Sequence, residues 1–123
     1  MKRALVIEDN ENNMELITFI LELSGYQTIR AENGRSGYDM ALKELPDFII
    51  LDIQLPDIMG TDVLKMIRNS SIGRSIPIIA MTSYAMSGDE QALLAAGCDG
   101  YIEKPINPEY VVEQIKKILG EAQ

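Results

Sequence analysis

Short apolar runs alternate with amphipathic stretches along the whole chain. Several runs are almost continuously apolar, which is typical of strands in a parallel sheet covered on both faces. They predict strands at about 4–7, 26–31, 47–52, 76–81 and 99–103. The stretches between them predict helices at about 12–23, 35–44, 61–69, 87–96 and 107–119. This succession predicts an α/β fold, a doubly wound (βα)5 arrangement with a five-stranded parallel sheet and right-handed crossovers.

Residues that favour helix ends occur where these helices are expected to begin and stop. The segment from Ser87 to Glu90 has the pattern of a capping box. Asn107 followed by Pro108 is typical of an N-cap with proline at the first helical position. Glycines suited to a left-handed conformation follow three helices, at Gly25, Gly97 and Gly120. No linker or repeat is visible, so residues 1–123 are expected to form one domain, and the initial methionine favours a complete single-domain protein.

The composition excludes several classes of function. With 123 residues, 46% of them hydrophobic, the chain can bury a core. Its net charge of −8 would repel nucleic acid and anionic membrane surfaces. No apolar run approaches the ~18 residues of a membrane span, and the N-terminus is unlike a signal peptide. The single cysteine, Cys98, cannot form an internal disulfide and is expected to be a small buried residue, which fits a cytoplasmic location.

The chain contains no histidine. This excludes serine and cysteine nucleophiles that depend on a histidine base, together with nearly all zinc sites. It also means that the chain cannot itself be a phosphohistidine donor. Acid–base chemistry is left to carboxylates, Lys104 or water.

Polar groups that can bind phosphate or a metal ion follow four of the predicted strands. They are the pair Glu8-Asp9, then Asp52, Thr82 and Lys104-Pro105. All strands of a parallel sheet end at the same edge, and ligands bind in the crevice outside that edge. These groups are therefore expected to meet in one cleft.

Each of these groups also has an ordinary structural interpretation. The acid pair can cap the first helix, Thr82 can simply end a strand, and Lys104-Pro105 can form a turn with a solvated lysine. Asp52 is harder to explain in this way, because an unpaired carboxylate at the end of an apolar strand is costly unless a cation compensates its charge. The occurrence of all four groups at one edge favours a functional site.

Together these groups have the chemistry of a phosphate-accepting aspartate. Glu8, Asp9 and Asp52 would raise one another's pKa unless a divalent cation lay between them, and oxygen ligands with room for water favour Mg²⁺. Asp52 is then the candidate nucleophile, which would form an aspartyl phosphate. Lys104 and the Thr82 hydroxyl would neutralise and position the phosphoryl group.

At these residues the chain resembles the receiver domains of two-component response regulators, over essentially its whole length. The family pattern is an acid pair after strand 1, Asp after strand 3, Thr or Ser after strand 4 and Lys-Pro after strand 5. The segment from Asp52 to Gly60 is similar to the loop that follows the family's phosphoacceptor. Residues 8–13 and 80–89 look most similar to stand-alone polarity or phosphorelay receivers and to receivers of hybrid histidine kinases.

The resemblance implies further details. The sheet would have the flavodoxin-like order 2-1-3-4-5. Lys104-Pro105 would be a cis peptide, and Tyr101 would turn inward when Thr82 engages the phosphoryl group. The expected partners are a sensor histidine kinase or a histidine phosphotransfer protein and a downstream effector protein, so the chain is predicted to be a switch rather than an enzyme. The family's Mg²⁺ ligands correspond to Asp9, Asp52 and the backbone carbonyl of Gln54, with Glu8 assisting through water.

Three other interpretations stay open at this point. A haloacid-dehalogenase-like phosphatase would need a general acid two residues after Asp52, where Gln54 cannot transfer a proton. A flavin binder with the same sheet order would place a phosphate beside Glu8-Asp9, which would repel it. The sequence is also compatible with a receiver cut from a hybrid kinase or a larger regulator.

The first predicted helix has more apolar surface than core packing needs. Its apolar arc spans roughly 220°, against the ≳100° stripe that packing requires. Met14 and Phe19 lie at the two margins of this arc, so one or both are expected to stay partly exposed. Isolated exposed apolar residues are common on protein surfaces. The alternative is a docking site beside Asp52 for a helical phosphodonor, which the resemblance to receivers also implies.

Overall fold

The computed structural model describes residues 2–83 and 89–120, in which five strands alternate with five helices. The strands are β1 (Arg3–Ile7), β2 (Gln27–Ala31), β3 (Phe48–Asp52), β4 (Ile78–Thr82) and β5 (Gly100–Glu103). The helices are α1 (Glu11–Leu23), α2 (Gly34–Glu44), α3 (Gly60–Asn69), α4 (Asp89–Ala96) and α5 (Val111–Leu119), and a short 3-10 turn occurs at Gly73–Ser75. The predicted order of elements is confirmed. No helix in these ranges is long and apolar enough to cross a membrane.

All five strands are parallel, and their order in the sheet is β2-β1-β3-β4-β5. The chain moves from β1 to β2 on one side and then returns past β1 to β3 on the other. The point where the direction changes lies between β1 and β3, and in such sheets the crevice at this point is where ligands bind. The predicted α/β fold and its strand order are both confirmed.

Alternate residues along the strands supply two separate cores, because successive side chains point to opposite faces of a sheet. Val6, Ile50 and Met81 belong to the core that contains buried residues of α1 and α5. Leu5 and Ile49 belong to the core on the other face, with residues of α2, α3 and α4. Strands β3 and β4 are buried throughout, which explains their unbroken apolar runs.

Cys98 packs into the second of these cores and is only 6% exposed, so its expected role as a small buried residue is confirmed. Burial raises the pKa of its thiol.

The helix ends follow the local signals in most places. Gly25, Gly97 and Gly120 have φ angles of 94°, 114° and 74°, so the predicted left-handed residues are confirmed. Leu45 was not predicted to take this conformation, yet it ends α2 with a φ of 49°. The proposed capping box begins at Ser87, which lies outside the described residues.

The predicted start of the fifth helix is wrong. Asn107 was expected to be its N-cap, but residues 108–110 form a turn and α5 begins at Val111. The Asn107 side chain instead accepts a hydrogen bond from Glu109 N at 3.0 Å, while its carbonyl accepts from Tyr110 N and Val111 N. The Asn-Pro pair therefore organises the turn that leads into the helix. Its capping chemistry is used in this turn, and the helix begins after it, later than expected.

Candidate functional site

The ends of the central strands bring the four predicted groups to one edge of the sheet. Asp52 pairs with Met81 across β3 and β4, and Thr82 pairs with Glu103 across β4 and β5. The pairing continues beyond the strands, since Lys104 N donates to the Thr82 carbonyl at 2.8 Å. Glu8 N likewise donates to the Ala31 carbonyl at 3.0 Å. The expectation that these groups share one cleft is confirmed.

Three carboxylates and one ammonium group form the centre of this site. Oxygen atoms of Glu8, Asp9 and Asp52 all lie within 4.8 Å of one another. Glu8 and Asp52 are buried, whereas Asp9 is exposed. Lys104 Nζ is 3.0 Å from Asp52 Oδ1 and 3.4 Å from Glu8 Oε1. One lysine cannot neutralise three carboxylates, so the cluster carries excess negative charge.

Glu8 is the residue most affected by this excess. Its pKa is raised from 4.5 to about 7, chiefly by burial and then by the hydrogen bond with Asp52 and the charge of Asp52, against the lowering effects of Asn13 and Lys104. Glu8 Oε2 is buried and has no hydrogen-bond partner among the described residues. A buried oxygen without a partner, in an all-oxygen set open to solvent at Asp9, suits a hard cation such as Mg²⁺.

The backbone after Asp52 turns immediately, and Gly60 packs against this turn. Gln54 N donates to Asp52 Oδ1 at 3.0 Å, and Gly60 N donates to the Ile53 carbonyl at 2.9 Å. A Cβ atom at Gly60 would lie 2.4 Å from Ile53 Cα and 2.6 Å from the Asp52 carbonyl oxygen. Only glycine therefore lets α3 begin this close to the backbone that follows Asp52.

A cavity of about 460 Å³ opens beside the carboxylate cluster. Asp9, Gln54 and Thr82 supply polar groups to its wall. Apolar residues from the loop after β3 and from α4 form most of the rest: Ile53, Leu55, Pro56, Met59, Ala92 and Leu93. The cavity is large enough for a phosphoryl group and the atoms that carry it.

The remaining predicted site residues lie in β4 and in or just after β5. Thr82 is buried at the end of β4. Lys104-Pro105 is a cis peptide, as predicted. Tyr101 lies in β5 beside Ala80 and packs against the core formed with α2, α3 and α4, where it is half-buried.

The acid pair does not cap α1. Asn10 is the N-cap residue, and its Oδ1 accepts a hydrogen bond from Asn13 N at 2.9 Å. The structural interpretation of Glu8-Asp9 as a helix cap is therefore wrong, and both carboxylates belong to the acidic cluster.

The two candidate docking residues of α1, Met14 and Phe19, differ in their exposure to solvent. Phe19 is 61% exposed, which confirms that at least one margin of the apolar arc stays exposed. Met14 is only 5% exposed and packs in the core with Ile17 and Leu21. Met14 is therefore unsuitable as a docking residue, and of the two only Phe19 is exposed enough to contribute to a docking surface.

Two residues that join distant elements have no signal in the local sequence pattern. Asp57 accepts hydrogen bonds from the amides of Gly34 and Arg35 at the start of α2. Arg68, in α3, donates to the Gly97 carbonyl and to Asp99 near the start of β5. A polar residue in a loop and a basic residue on a helix are too common for either role to be predicted.

Comparisons with known proteins identify the family. A model of the response regulator receiver domain matches residues 4–116. The polar-differentiation response regulator DivK of Brucella anthropi is 45% identical over 121 residues, with 98% of each chain covered. A putative response regulator from Chloroflexus aurantiacus has a TM-score of 0.91 and 29% identity, with 98% of each chain covered.

A second solved structure, the receiver domain of the sensor histidine kinase PA1611 from Pseudomonas aeruginosa, has a TM-score of 0.88 and 30% identity, with 98% of each chain covered. That structure holds a magnesium ion coordinated in its active-site cleft. These matches exclude the phosphatase and the flavin-binding interpretations. The fold, the acidic cluster and the family match agree, and the chain belongs to the response regulator receiver domains of two-component systems.

Proposed function

We propose that this receiver accepts a phosphoryl group on Asp52 in a Mg²⁺-dependent reaction. The observation that carries the proposal is the position of the Asp52 carboxylate. It is buried at the end of β3, 3.0 Å from Lys104 Nζ and within one acidic cluster with Glu8 and Asp9. A buried carboxylate that is kept beside both a cation and a candidate metal site is suited to attack a group rich in negative charge.

The metal would be held by side chains already in place. Asp9 and Asp52 would bind it directly with the carbonyl of Gln54, and Glu8 would assist through a water molecule. When bound, the metal would withdraw negative charge from the phosphoryl oxygens and favour attack at phosphorus. The excess negative charge of the cluster, together with the Glu8 oxygen that has no hydrogen-bond partner among the described residues, supports this assignment.

The transfer itself exchanges one bond for another. An oxygen of Asp52 attacks the phosphorus of a phosphohistidine on a donor protein, a P–O bond forms, and the P–N bond breaks with its electron pair left on the imidazole. Lys104, which pairs with Asp52 Oδ1 beforehand, can then neutralise a phosphoryl oxygen. Thr82, which ends the adjacent strand and lines the cavity, would donate its hydroxyl hydrogen to another.

The partners follow from what the chain contains. It has no histidine, so a phosphohistidine donor must be a second protein, a sensor histidine kinase or a histidine phosphotransfer protein. Family membership implies kinase or phosphotransfer partners and downstream effectors in general. We propose that residues 1–123 act as one receiver domain in the cytoplasm and pass the signal to an effector protein through a change of shape or through onward phosphotransfer.

Labelling by a small phosphodonor tests this proposal. Incubation with acetyl phosphate and Mg²⁺ is expected to add the mass of one phosphoryl group, which alkali removes because acyl phosphates hydrolyse readily. Chelation of Mg²⁺ with EDTA is expected to suppress the addition, and excess Mg²⁺ to restore it. Intact-protein mass spectrometry measures both results. Equal labelling with and without EDTA would contradict the role given to the metal, and no labelling under any condition would contradict the proposed function.

Substitution of Thr82 or Lys104 is expected to separate phosphorylation from the change of shape. Both Thr82→Ala and Lys104→Ala keep the Asp52 carboxylate, but each removes a group that would bind the phosphoryl oxygens. Wild type is expected to show chemical-shift changes at Tyr101 and in α4 when beryllofluoride and Mg²⁺ are added, and the two variants much smaller ones. NMR measures these shifts.

Thr82→Ser is the matched control for this experiment, because serine keeps the hydroxyl group and is expected to preserve the shifts. The switch proposal would be abandoned if Thr82→Ala and Lys104→Ala both responded as wild type does.

The exposed ring of Phe19 is expected to contribute to docking of the donor protein. The first residue of α1, Glu11, follows the acidic cluster closely in sequence. Phe19 lies about 12 Å further along the helix. Phe19→Lys is expected to slow phosphotransfer from the cognate histidine protein about tenfold, which corresponds to the loss of about 1.4 kcal/mol at an important interface residue. Phosphotransfer assays quenched at a series of times measure the rate.

Ile72→Lys provides the control for Phe19→Lys. Ile72 is similarly exposed, at 51%, but it precedes β4 at the opposite edge of the sheet. Both variants are expected to be labelled normally by acetyl phosphate. If Phe19→Lys accepts phosphate from the protein donor as fast as Ile72→Lys does, Phe19 is an ordinary surface residue.

A further inference from the structure

The amide groups at the start of α2 are hydrogen-bonded by two different parts of the chain. Asn33 accepts from the third and fourth amides of the helix, through its side chain and its carbonyl, at 2.9 and 3.0 Å. The first two amides, those of Gly34 and Arg35, donate to Asp57 Oδ1 and Oδ2 at 2.7 and 2.9 Å. A carboxylate more than twenty residues away in sequence therefore completes the capping of this helix.

Asp57 belongs to the loop at residues 53–59, which connects β3 to α3 and directly follows the phosphoacceptor. The base of this loop is closed by the hydrogen bond from Gly60 N to the Ile53 carbonyl, and Gln54 N is held by Asp52 Oδ1. The two hydrogen bonds of Asp57 attach the outer half of the loop to a neighbouring helix. The loop is thus held both at its base and near its tip.

The contact between the loop and α2 is close and electrostatically favourable. A carboxylate at a helix N-terminus is stabilised by the helix dipole and by charge-assisted hydrogen bonds from the amides. These hydrogen bonds lower the pKa of Asp57, so it is ionised at neutral pH. A Cβ atom at Gly34 would lie 2.8 Å from Val63 Cγ2, 3.1 Å from Ile58 Cβ and 3.2 Å from Asp57 Oδ1. There is no room for α2 to shift towards the loop.

We propose that Asp57 is a positioning residue for the metal site: by fixing the loop to α2, it holds the backbone of Gln54 where its carbonyl can reach Mg²⁺. This inference rests on the proposed function, because it assumes that Asp52 and Gln54 take part in metal binding. Asp57 itself lies three residues beyond Gln54 and is not assigned to the metal or to the phosphoryl group. Its effect is to limit the conformations of the loop before the metal binds, which reduces the entropy lost on binding.

Removal of the Asp57 carboxylate is therefore expected to weaken Mg²⁺ binding more than it slows phosphoryl transfer. Asp57→Ala is expected to raise the dissociation constant for Mg²⁺ about tenfold, the lower end of the range for residues that support metal ligands. Calorimetric titration measures this constant with Mg²⁺ alone, without any phosphodonor. At saturating Mg²⁺ the rate of labelling by acetyl phosphate is expected to stay within about twofold of wild type, because Asp57 touches no reacting atom.

Asn33→Ala is the matched control, because it removes a capping side chain from the same end of α2 without touching the loop. It is expected to lower stability but to leave the dissociation constant for Mg²⁺ within about twofold of wild type.

Gly34→Ala is the complementary variant: it keeps Asp57 but pushes the loop away, and it is expected to weaken Mg²⁺ binding as Asp57→Ala does. Asp57→Asn, which retains one acceptor oxygen, carries the test if Asp57→Ala does not fold, and is expected to give an intermediate constant.

Two results would overturn the inference. The first is a dissociation constant for Asp57→Ala, or for Asp57→Asn if that variant carries the test, within about twofold of wild type. The second is an equal weakening by Asn33→Ala, which would show that general loss of helix stability is responsible. A wild-type protein that binds no Mg²⁺ would instead overturn the proposed function, and this inference with it.

Discussion

Asp52→Asn is expected to abolish phosphorylation by acetyl phosphate and by any histidine donor. Asparagine has nearly the same shape, but its amide is a poor nucleophile, and an acyl phosphate cannot form on it. Intact-protein mass spectrometry is expected to show no added phosphoryl mass at any Mg²⁺ concentration. The fold is expected to persist, because the substitution removes a negative charge from a buried cluster that already has more carboxylates than cations.

Comparison of Asp9→Asn with Asp52→Asn distinguishes loss of the proposed phosphoacceptor from loss of the bound metal. This variant removes a proposed metal ligand but keeps Asp52, so labelling is expected to be weak at low Mg²⁺ and to recover as Mg²⁺ is raised. Asp52→Asn is not expected to recover under the same titration. Undiminished labelling of Asp52→Asn would refute Asp52 as the phosphoacceptor.

Arg68→Ala is expected to lower the free energy of unfolding by about 2–4 kcal/mol, the largest stability effect that we predict. The guanidinium group donates to the carbonyls of Gly97, Gly73 and Ile76 at 2.8, 2.9 and 2.6 Å, and to Asp99 Oδ2 at 2.9 Å. The single side chain thus joins α3 to the segments that lead into β4 and β5. Its removal would leave these partly buried carbonyls without their donor. Urea unfolding measures the change.

Arg35→Ala is the control for this prediction. Arg35 is an exposed arginine in an ion pair with Asp39 at 3.6 Å, and its side chain lies over the ring of Tyr38. Exposed pairs of this kind contribute little, so the loss is expected to stay below about 1 kcal/mol. Arg68→Lys is expected to restore only part of the stability, because one ammonium group cannot serve four acceptors in different directions. The prediction fails if Arg68→Ala and Arg35→Ala destabilise the protein equally.

Much of the fold and the outline of the site could be predicted from the sequence because both depend on local patterns. Unbroken apolar runs such as residues 48–51 indicate strands that are buried on both faces, and a polar residue that ends such a run must lie at the edge of the sheet. These patterns predict that Glu8, Asp52, Thr82 and Lys104 lie together at one edge. The start of α5 could not be predicted in the same way, because Asn107 and Pro108 are equally suited to a turn and to a helix N-terminus.

The properties that depend on contacts between distant segments were decided by the tertiary structure. Met14 and Phe19 lie at equivalent margins of the apolar arc of α1, yet the packing of the sheet and α5 buries one and leaves the other exposed. The raised pKa of Glu8 depends on burial and on Asp52, which lies in another strand. The chemistry of each strand end could be predicted from the sequence, since it is a local property of one strand. The attachment of the loop at residues 53–59 to α2 by Asp57 is a property of the folded chain, because a hydrogen bond between residues more than twenty positions apart leaves no periodic pattern.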